Sequence, residues 1–364
     1  MNIEFYNLKR QYNMYKNEYE EATLRVLRSG WYILGEELGR FENEFKTYMG
    51  IKNCIGVGNG LDALRLAMAA LGVGNGDEVI VQTNTFIATV LAITEIGATP
   101  IFVDVDSYFG IDSEAIEKVI TAKTKAVIVV HLYGQPCEMD MIMKIANKHN
   151  LYVIEDCAQA HGARYKGKLV GTIGNVGCFS FYPTKPVGAF GDSGAIITDN
   201  DEVDKKIRML RNYGSSIKYK HELLGINSRM DEVQAAIVKI NLKHLEEGNK
   251  KRVSIALKYI NEIKNQEIKL PRIRPDTLNV FHIFPIHCIR REELKKYLES
   301  YGIQTQIHYP ICCHISECYK WLGYKIGDFP KAEKYMKEEL SLPIYNELKD
   351  KELKYIISTI NNFK

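Results

Sequence analysis

The sequence predicts an α/β protein, with a large domain built on a mainly parallel mixed sheet between helices and a smaller C-terminal α+β domain. Three observations indicate this. Short apolar segments alternate with helical ones through the first half of the chain, several of them are apolar throughout, and the pattern changes beyond about residue 262. Continuously apolar strands are typical of parallel sheets with helices on both faces. We therefore expect domains at residues 1–250 and 251–364.

The large domain is expected to alternate strands with helices. The expected strands are residues 78–82, 100–104, 126–131, 152–156, 177–181 and 195–198, and the expected helices are residues 60–71, 85–96, 113–119 and 139–149. Apolar residues from Val233 to Ile240 recur at helical spacing, which predicts a long helix, either continuous or broken near Gly248. In the C-terminal domain, short segments at 280–289 and 305–309 flank a predicted helix at 291–301.

Composition excludes several classes of partner. The 364 residues carry 48 Lys and Arg against 45 Asp and Glu, a formal net charge of +3. Nucleic-acid-binding proteins usually present a strongly basic face, so we expect no nucleic acid. No apolar run approaches the ~20 residues of a membrane span, and the N-terminus lacks a secretory apolar region. We expect no membrane partner and a cytoplasmic protein whose eight cysteines are reduced.

The densest group of possible metal ligands is His308, Cys312, Cys313 and His314, with Cys318 beyond. Zinc sites use paired Cys and His ligands at characteristic spacings. This group matches none of them, and we expect no metal.

The segment Tyr152-Val-Ile-Glu155-Asp156 reads as a buried strand that ends in two carboxylates. In open α/β sheets the carboxyl ends of the strands line the ligand crevice. Asp156 would then lie at the bottom of a pocket, where a carboxylate holds a cationic ring nitrogen. The alternative is a strand-end aspartate that caps a turn.

Lys185 lies in SFYPTKPVGAFGDSG, among aromatic, small and glycine residues rather than on a charged helix face. Burial lowers the pKa of a lysine, and a neutral amine condenses with an aldehyde. Ser180 and Thr184 are near enough in the chain to donate to a phosphate. The alternative is a lysine in a glycine-rich surface loop.

The segment Gly56-Val-Gly58-Asn59-Gly60-Leu61 reads as a glycine-rich turn that opens a helix. Backbone N–H groups at such a position bind phosphate, although a plain turn and N-cap explain the pattern as well. The spacing is GxGxG, without the acidic residue of a dinucleotide fingerprint, which argues against a nicotinamide enzyme.

One ligand fits all three segments. A phosphate, a ring nitrogen and an aldehyde are the three handles of pyridoxal phosphate. Phe86 follows a predicted strand and could stack on the ring of that cofactor, or it could be a core residue on a helix face.

The segments EDCAQAHGARY, SFYPTK, GAFGDSGA, RNYG and NSRMDEVQAA resemble the sugar aminotransferases of the DegT group, which are pyridoxal phosphate enzymes of fold type I. The resemblance runs from WYILGEELGRFE at residue 31 to HYP at 308 and LSLPI at 340. It implies a homodimer in which each active site is completed by the partner subunit.

The resemblance also implies roles for individual residues. Lys185 would bond to the cofactor and move a proton, Asp156 would pair with the pyridine nitrogen, and Gln159 would contact the ring hydroxyl side. The phosphate would be held by the backbone of Gly60 and Leu61, the Ser180 hydroxyl and Asn227 of the partner subunit, and Phe86 would stack on the ring. The expected substrate contacts are Tyr182, Arg229, His308 and Tyr309.

Two positions depart from the family pattern. Pro186 follows the lysine where the family often has Asn, and Ser193 stands where it often has Gly. Both changes concern the geometry of the loop rather than the chemistry.

The segments GNGLDALRLA, TFIAT, HLYGQPCEMD and RNYGSSIKY look most similar to enzymes that aminate C3 of a dTDP-linked 3-oxo-6-deoxyhexose. The expected amino donor is L-glutamate, and the expected product is an aminosugar for lipopolysaccharide or S-layer glycans. Three alternatives stay open: an aminotransferase acting on a 4-oxo sugar, a dehydratase of the same fold, and a non-catalytic regulatory protein that binds pyridoxal phosphate. The dehydratases carry His in place of the lysine, which Lys185 argues against.

Overall fold

The computed structural model of the chain describes residues 1–364. Its α-helices are α1 Leu8–Met14, α2 Lys16–Ser29, α3 Glu36–Met49, α4 Gly60–Ala70, α5 Ile87–Glu95, α6 Ser113–Ile116, α7 Met139–His149, α8 Asp201–Leu210, α9 Glu232–Lys243, α10 Leu245–Glu262, α11 Arg291–Ser300, α12 Pro330–Glu338 and α13 Asp350–Asn361. Its strands are β1 Asn53–Val57, β2 Glu78–Gln82, β3 Thr99–Val103, β4 Thr124–Val130, β5 Tyr152–Asp156, β6 Arg164–Tyr165, β7 Lys168–Leu169, β8 Val176–Ser180, β9 Gly194–Thr198, β10 Ser215–Ile217, β11 Lys220–His221, β12 Thr277–Leu278, β13 Phe284–His287 and β14 Glu339–Leu342. None of the helices combines the length and the hydropathy needed to cross a membrane.

Seven strands form one large sheet in the order β1-β9-β8-β5-β4-β2-β3. The five strands from β3 to β8 pair in parallel, whereas β9 is antiparallel to both β8 and β1. The sheet is therefore mainly parallel, as the sequence predicts, with one reversed strand. This topology brings the carboxyl ends of β1, β5 and β8 to one edge of the sheet, where ligands bind in open α/β folds.

Both faces of the sheet are covered by apolar cores, which explains the continuously apolar strands. In β4, Val127 and Val129 belong to one core, and Ala126, Ile128 and Val130 belong to the other. Alternate residues of a strand point to opposite faces, so a strand covered on both sides is apolar at every position.

A third core contains Ile3 and otherwise only residues between Ile255 and Phe363. It includes the small antiparallel sheet of β13 and β14. Ile3 reaches it because the N-terminal segment pairs with Ile303.

The long helix predicted after residue 232 is two helices, but the break lies at His244 rather than near Gly248. Gly248 lies inside α10, where a Cβ atom would come within 2.5 Å of the Asn346 side chain. The glycine therefore permits close packing and does not end the helix.

Two predicted elements differ from the structure in detail, and strand β1 is not among the predicted ones. Segment 305–309 forms no strand, because only Gln306 makes a bridge, to Ser341. The helix predicted at 113–119 is α6 followed by a 3-10 turn at Glu117–Val119. Strand β1 was not predicted, because Asn53 and Gly56 are poor strand formers; its pairing with β9 holds it in the sheet.

Candidate active site

Three of the predicted segments meet at the carboxyl edge of the large sheet. Asp156 ends β5, Ser180 ends β8, and the start of α4 follows β1. Ser180 lies opposite Gly194 of β9, and Gly194 lies opposite Val57 of β1. The sheet register therefore places the glycine-rich turn beside the loop that carries Lys185.

The start of α4 has the features of a phosphate-binding helix terminus. Asn59 caps the helix, and its side chain accepts a hydrogen bond of 2.8 Å from the Asp62 N–H. The N–H groups of Gly60 and Leu61 make no hydrogen bond within the chain, as expected for the free donors of a first helical turn. A Cβ atom on Gly60 would lie 2.6 Å from the Ser180 Cβ. Glycine therefore allows the Ser180 hydroxyl to approach these two N–H groups.

Asp156 is buried, and each of its carboxylate oxygens accepts a hydrogen bond from within the chain. Its Oδ1 accepts the Ala158 N–H at 3.1 Å, as a turn cap does, while its Oδ2 accepts the Thr89 hydroxyl at 2.8 Å. Burial raises the pKa of Asp156, and the Ala158 N–H, the Thr89 hydroxyl and Lys185 oppose that rise. Such a carboxylate gains from a cationic partner, which a protonated ring nitrogen would supply.

Lys185 lies in a closed loop. The Lys185 N–H donates to the Tyr182 carbonyl at 2.8 Å, and the Ala189 N–H donates to the Phe181 carbonyl at 2.7 Å. Pro186 is buried within this loop. The loop is closed without the N–H that proline lacks, so Pro186 does not disturb it.

The second departure from the family pattern also leaves the loop intact. The Ser193 carbonyl accepts the Phe181 N–H at 2.8 Å, a bond that does not depend on the side chain. The Ser193 hydroxyl is buried without a hydrogen-bond partner.

The Lys185 side chain is half-buried rather than free in a surface loop. Burial lowers the pKa of Lys185 to about 8, and the opposite charge of Asp156 restrains that fall. The neutral amine, which is the form that reacts with an aldehyde, is therefore far more abundant near neutral pH than in an ordinary exposed lysine.

Gln159, Tyr309 and Phe86 form one wall of the site. The Gln159 Oε1 accepts the Tyr133 N–H at 2.7 Å, and its Nε2 donates to the Tyr309 hydroxyl at 3.0 Å. The Tyr309 ring lies 5.6 Å from the ring of Phe86, which is the N-cap residue of α5 and is 54% exposed. This exposure excludes the core alternative for Phe86 and leaves its ring free to cover a ligand.

Two of the predicted substrate contacts border the same region. Burial, and next the charge of Lys185, lower the pKa of His308 to about 4. Tyr182 is exposed, and its N–H donates to the Ser180 hydroxyl at 3.3 Å.

Asn227 and Arg229 are not hydrogen-bonded to the Lys185 region. Arg229 donates to the Asn212 side chain at 3.1 Å and lies over the Tyr213 ring, in a separate cavity of about 710 Å³. Asn227 is exposed, although the neighbouring Ser228 hydroxyl accepts the Gly58 N–H at 3.0 Å.

Sequence reasoning missed Thr89, which holds Asp156. The one sequence feature that could have indicated Thr89 is its position three residues after Phe86, in the first turn of α5. Reasoning also missed the partners of Glu155, which points away from Asp156. Glu155 accepts the N–H groups of Gly171, Ile173 and Gly174 at 2.6–2.7 Å.

His131, Glu155 and Cys157 are close enough together to suggest a metal site. The Glu155 oxygens are occupied by the three N–H groups and by His131 Nε2 at 3.0 Å. This buried group therefore fixes the turn before β8. In the cysteine and histidine group near residue 312, His314 Nδ1 lies 2.7 Å from the Thr83 hydroxyl.

Comparisons with known proteins agree with this geometry. The profile of the DegT/DnrJ/EryC1/StrS aminotransferase family matches residues 13–361. The chain is 48% identical, over 97% of its length and 98% of the relative's, to a dTDP-3-amino-3,6-dideoxy-alpha-D-galactopyranose transaminase of Aneurinibacillus thermoaerophilus. It superimposes with a TM-score of 0.97 on DesV of S. venezuelae, at 43% identity, covering 99% of this chain and 98% of that one.

A third comparison concerns the cofactor. Ntda of Bacillus subtilis, solved with bound cofactor PMP, matches with a TM-score of 0.91 and 33% identity over 99% of this chain and 84% of that one. The free N–H groups of α4, the Asp156 carboxylate and the Lys185 amine suit the phosphate, ring nitrogen and aldehyde of pyridoxal 5'-phosphate. That compound is the cofactor of this enzyme, and the chain belongs to the DegT/DnrJ/EryC1/StrS aminotransferase family.

Proposed function

We propose that the protein transfers the amino group of L-glutamate to C3 of a dTDP-linked 3-oxo-6-deoxyhexose. The products are 2-oxoglutarate and a dTDP-3-amino-3,6-dideoxyhexose. The observation that carries the proposal is the pair of Lys185 and Asp156 at the edge of the sheet, beside a free helix terminus. The sugar class is supported by the relative that is named as a 3-amino-3,6-dideoxyhexose transaminase.

When bound, pyridoxal phosphate supplies an aldehyde that takes up an amino group and a ring that withdraws electrons from it. The protein supplies the remaining functions. The N–H groups of Gly60 and Leu61 and the Ser180 hydroxyl would hold the phosphate, and Asp156 would keep the ring nitrogen protonated. Lys185 Nζ takes up a proton from one reacting carbon and returns it to another. This shuttle requires a pKa near the working pH, and that of Lys185 is about 8.

The ring and the substrate are bounded by aromatic and polar side chains. Phe86 would stack on the ring, and Gln159, which donates to the Tyr309 hydroxyl, would contact its hydroxyl side. Tyr182, Arg229, His308 and Tyr309 contact the sugar nucleotide. The Arg229 guanidinium suits the negative charge of a diphosphate.

The proposal includes a homodimer in which Asn227 of the partner subunit reaches the phosphate. The homodimer is supported by the exposure of Asn227 and by exposed apolar side chains on the neighbouring hairpin.

The proposal also keeps the division into domains at residues 1–250 and 251–364, since the third core is almost confined to the second domain. A cytoplasmic location agrees with the eight cysteines, none of which forms a disulfide. The aminosugar product would enter a surface glycan.

The visible spectrum of the loaded protein tests the proposal. L-Glutamate is expected to convert the cofactor from its aldehyde form to its amine form. After excess glutamate is removed, dTDP-3-oxo-6-deoxyglucose, its galacto epimer and the 4-oxo isomer are offered in turn. Return of the aldehyde form with a 3-oxo sugar supports C3 transfer, and return with the 4-oxo sugar alone contradicts it.

Lys185→Ala is the matched variant. We expect it to bind pyridoxal phosphate but to lose transamination entirely, because no other side chain in the site offers an amine. Full turnover by Lys185→Ala would exclude the assigned role. A folded, cofactor-loaded wild type that shows no spectral change with glutamate would favour the regulatory alternative.

A further inference from the structure

A line of three hydrogen-bonded polar groups connects buried strand β14 to His308. Glu339 and Ser341 are both buried, and they point to the same side of β14 because they are two residues apart. Glu339 Oε2 accepts the His308 N–H at 2.7 Å, and Glu339 Oε1 accepts the Ser341 hydroxyl at 2.5 Å. Ser341 Oγ lies 2.8 Å from His308 Nδ1.

The number of hydrogens in this line couples the carboxyl group to the imidazole. The Ser341 hydroxyl has one hydrogen and can donate in one direction only. When Glu339 is ionised, Ser341 donates to it, and His308 Nδ1 must carry a hydrogen to donate to Ser341. When Glu339 is protonated, it donates to Ser341, Ser341 donates to Nδ1, and the imidazole hydrogen lies on Nε2.

The other end of the imidazole is available to a ligand. His308 Nε2 makes no hydrogen bond within the chain and is not sealed from solvent. His308 is followed by Tyr309, whose hydroxyl is held by Gln159 and whose ring lies beside Phe86. The hydrogen on this ring therefore decides what the site offers to a substrate oxygen.

We propose that Glu339 is a positioning residue for the reaction: through Ser341 it places the imidazole hydrogen of His308 on Nε2, where it donates to an oxygen of the sugar substrate. The inference rests on the proposed function, because it takes His308 as a substrate contact. Glu339 itself touches neither substrate nor cofactor.

The pKa values of Glu339 and His308 favour the form in which the imidazole hydrogen lies on Nε2 at neutral pH. Burial raises the pKa of Glu339 to about 8, opposed by the Ser341 hydroxyl, the His308 N–H and the charge of Arg291 on α11. The other titratable groups that face Glu339 are Tyr133 and Tyr309, and His287 lies opposite it on β13. The imidazole of His308 is neutral above pH 4. The donor form therefore predominates at neutral pH and gives way to the acceptor form above about pH 8.

Glu339→Gln separates the coupling from a merely structural role. Its amide oxygen can accept the His308 N–H, and its amide NH₂ can donate to Ser341, as protonated Glu339 does. The variant is therefore expected to hold the Nε2–H form at every pH. The matched control is Glu338→Gln on the neighbouring residue, which makes no side-chain hydrogen bond to His308.

The first readout is ¹⁵N NMR of histidine in cofactor-free protein, with His308 assigned by its loss in His308→Gln. In the wild type and in Glu338→Gln, the hydrogen is expected to move from Nε2 to Nδ1 between pH 7 and 9. In Glu339→Gln it should stay on Nε2. Identical behaviour of wild type and Glu339→Gln would overturn the inference.

The second readout is the KM for whichever keto sugar accepts the amino group. It should rise about threefold to tenfold between pH 7 and 9 in the wild type, the effect of losing one neutral hydrogen bond, and stay level in Glu339→Gln. A tautomer change without this difference in KM would overturn the positioning role. A protein that aminates no keto sugar would contradict the proposed function instead, while the NMR result would still decide the coupling.

Discussion

Lys185 is half-buried and Asp156 is buried at the centre of the site, and burial shifts their proton equilibria in opposite directions. The pKa of Lys185 falls to about 8 and that of Asp156 rises, while the attraction between their charges limits both changes. Holding a charged amine in such a place destabilises the protein without its cofactor. Catalytic sites typically contain ionisable groups whose pKa values are shifted at a cost in stability.

Lys185→Met should therefore raise the melting temperature of the cofactor-free protein at pH 7. The pKa of Lys185 is lowered from 10.5 to about 8, so the unfolded chain binds more protons than the folded one between these values. Wild-type stability rises with pH across that window and carries the full penalty below pH 8. We expect a gain of about 2–6 °C at pH 7 that shrinks towards pH 10, by scanning calorimetry.

Lys144→Met is the control for this substitution, because Lys144 is exposed on α7 and forms no ion pair. It should leave the melting temperature nearly unchanged at both pH values. A Lys185→Met protein that melts below the wild type at pH 7 would show that the lysine stabilises the empty site.

At the residue scale, the sequence predicts the groups that lie in recognisable local patterns. Asp156 follows an apolar strand, and Lys185 stands out among glycines and aromatics. Thr89, Ser341 and Glu339 carry no such mark, because they act through partners 67, 33 and 31 residues away. Contacts of this length depend on how helices and strands pack, which no local spacing reveals.

At the scale of single elements, the start of α4 depends on a close approach to the end of β8. The sequence predicts both elements and the glycine-rich turn between β1 and α4. It does not predict β1 itself or the small strand β14, whose partners are β9 and β13. Both strands lack the continuously apolar composition of the central parallel strands, so their pairing with a neighbour rather than their own residues places them in a sheet.

Gly60→Ala should weaken cofactor binding at least tenfold. The added Cβ would lie 2.6 Å from the Ser180 Cβ, so α4 and the end of β8 must separate. The Gly60 and Leu61 N–H groups and the Ser180 hydroxyl could then no longer contact one phosphate together. Fluorescence titration of the cofactor-free protein with pyridoxal phosphate measures the affinity.

The matched control is Gly39→Ala, at the fourth residue of α3, where a Cβ atom would meet nothing within 4 Å. Alanine favours a helix over glycine by up to about 1 kcal/mol, so this variant should bind the cofactor normally and melt slightly higher. Equal affinities of Gly60→Ala and wild type would rule out this helix terminus as the phosphate site.

At the scale of the whole molecule, large apolar side chains are exposed on the segment that precedes Asn227. Leu224 is fully exposed, Tyr219 is 83% exposed and Ile217 is 68% exposed. Trp31 and Tyr32 are also exposed, and the adjoining Ile33 pairs with Asp231. Grouped exposed apolar residues usually mark an interface between proteins, which agrees with the proposed homodimer.

A heterodimer of Lys185→Ala and Asn227→Asp tests whether the subunits share their sites. Each variant alone should be inactive, since the first lacks the amine and the second places a negative charge against the phosphate. If Asn227 serves the partner's site, the heterodimer has one doubly altered site and one intact site, by its two-fold symmetry. Purified through two different affinity tags, it should show about half of wild-type activity. An inactive heterodimer would mean that each chain completes its own site, because every site would then carry one lesion.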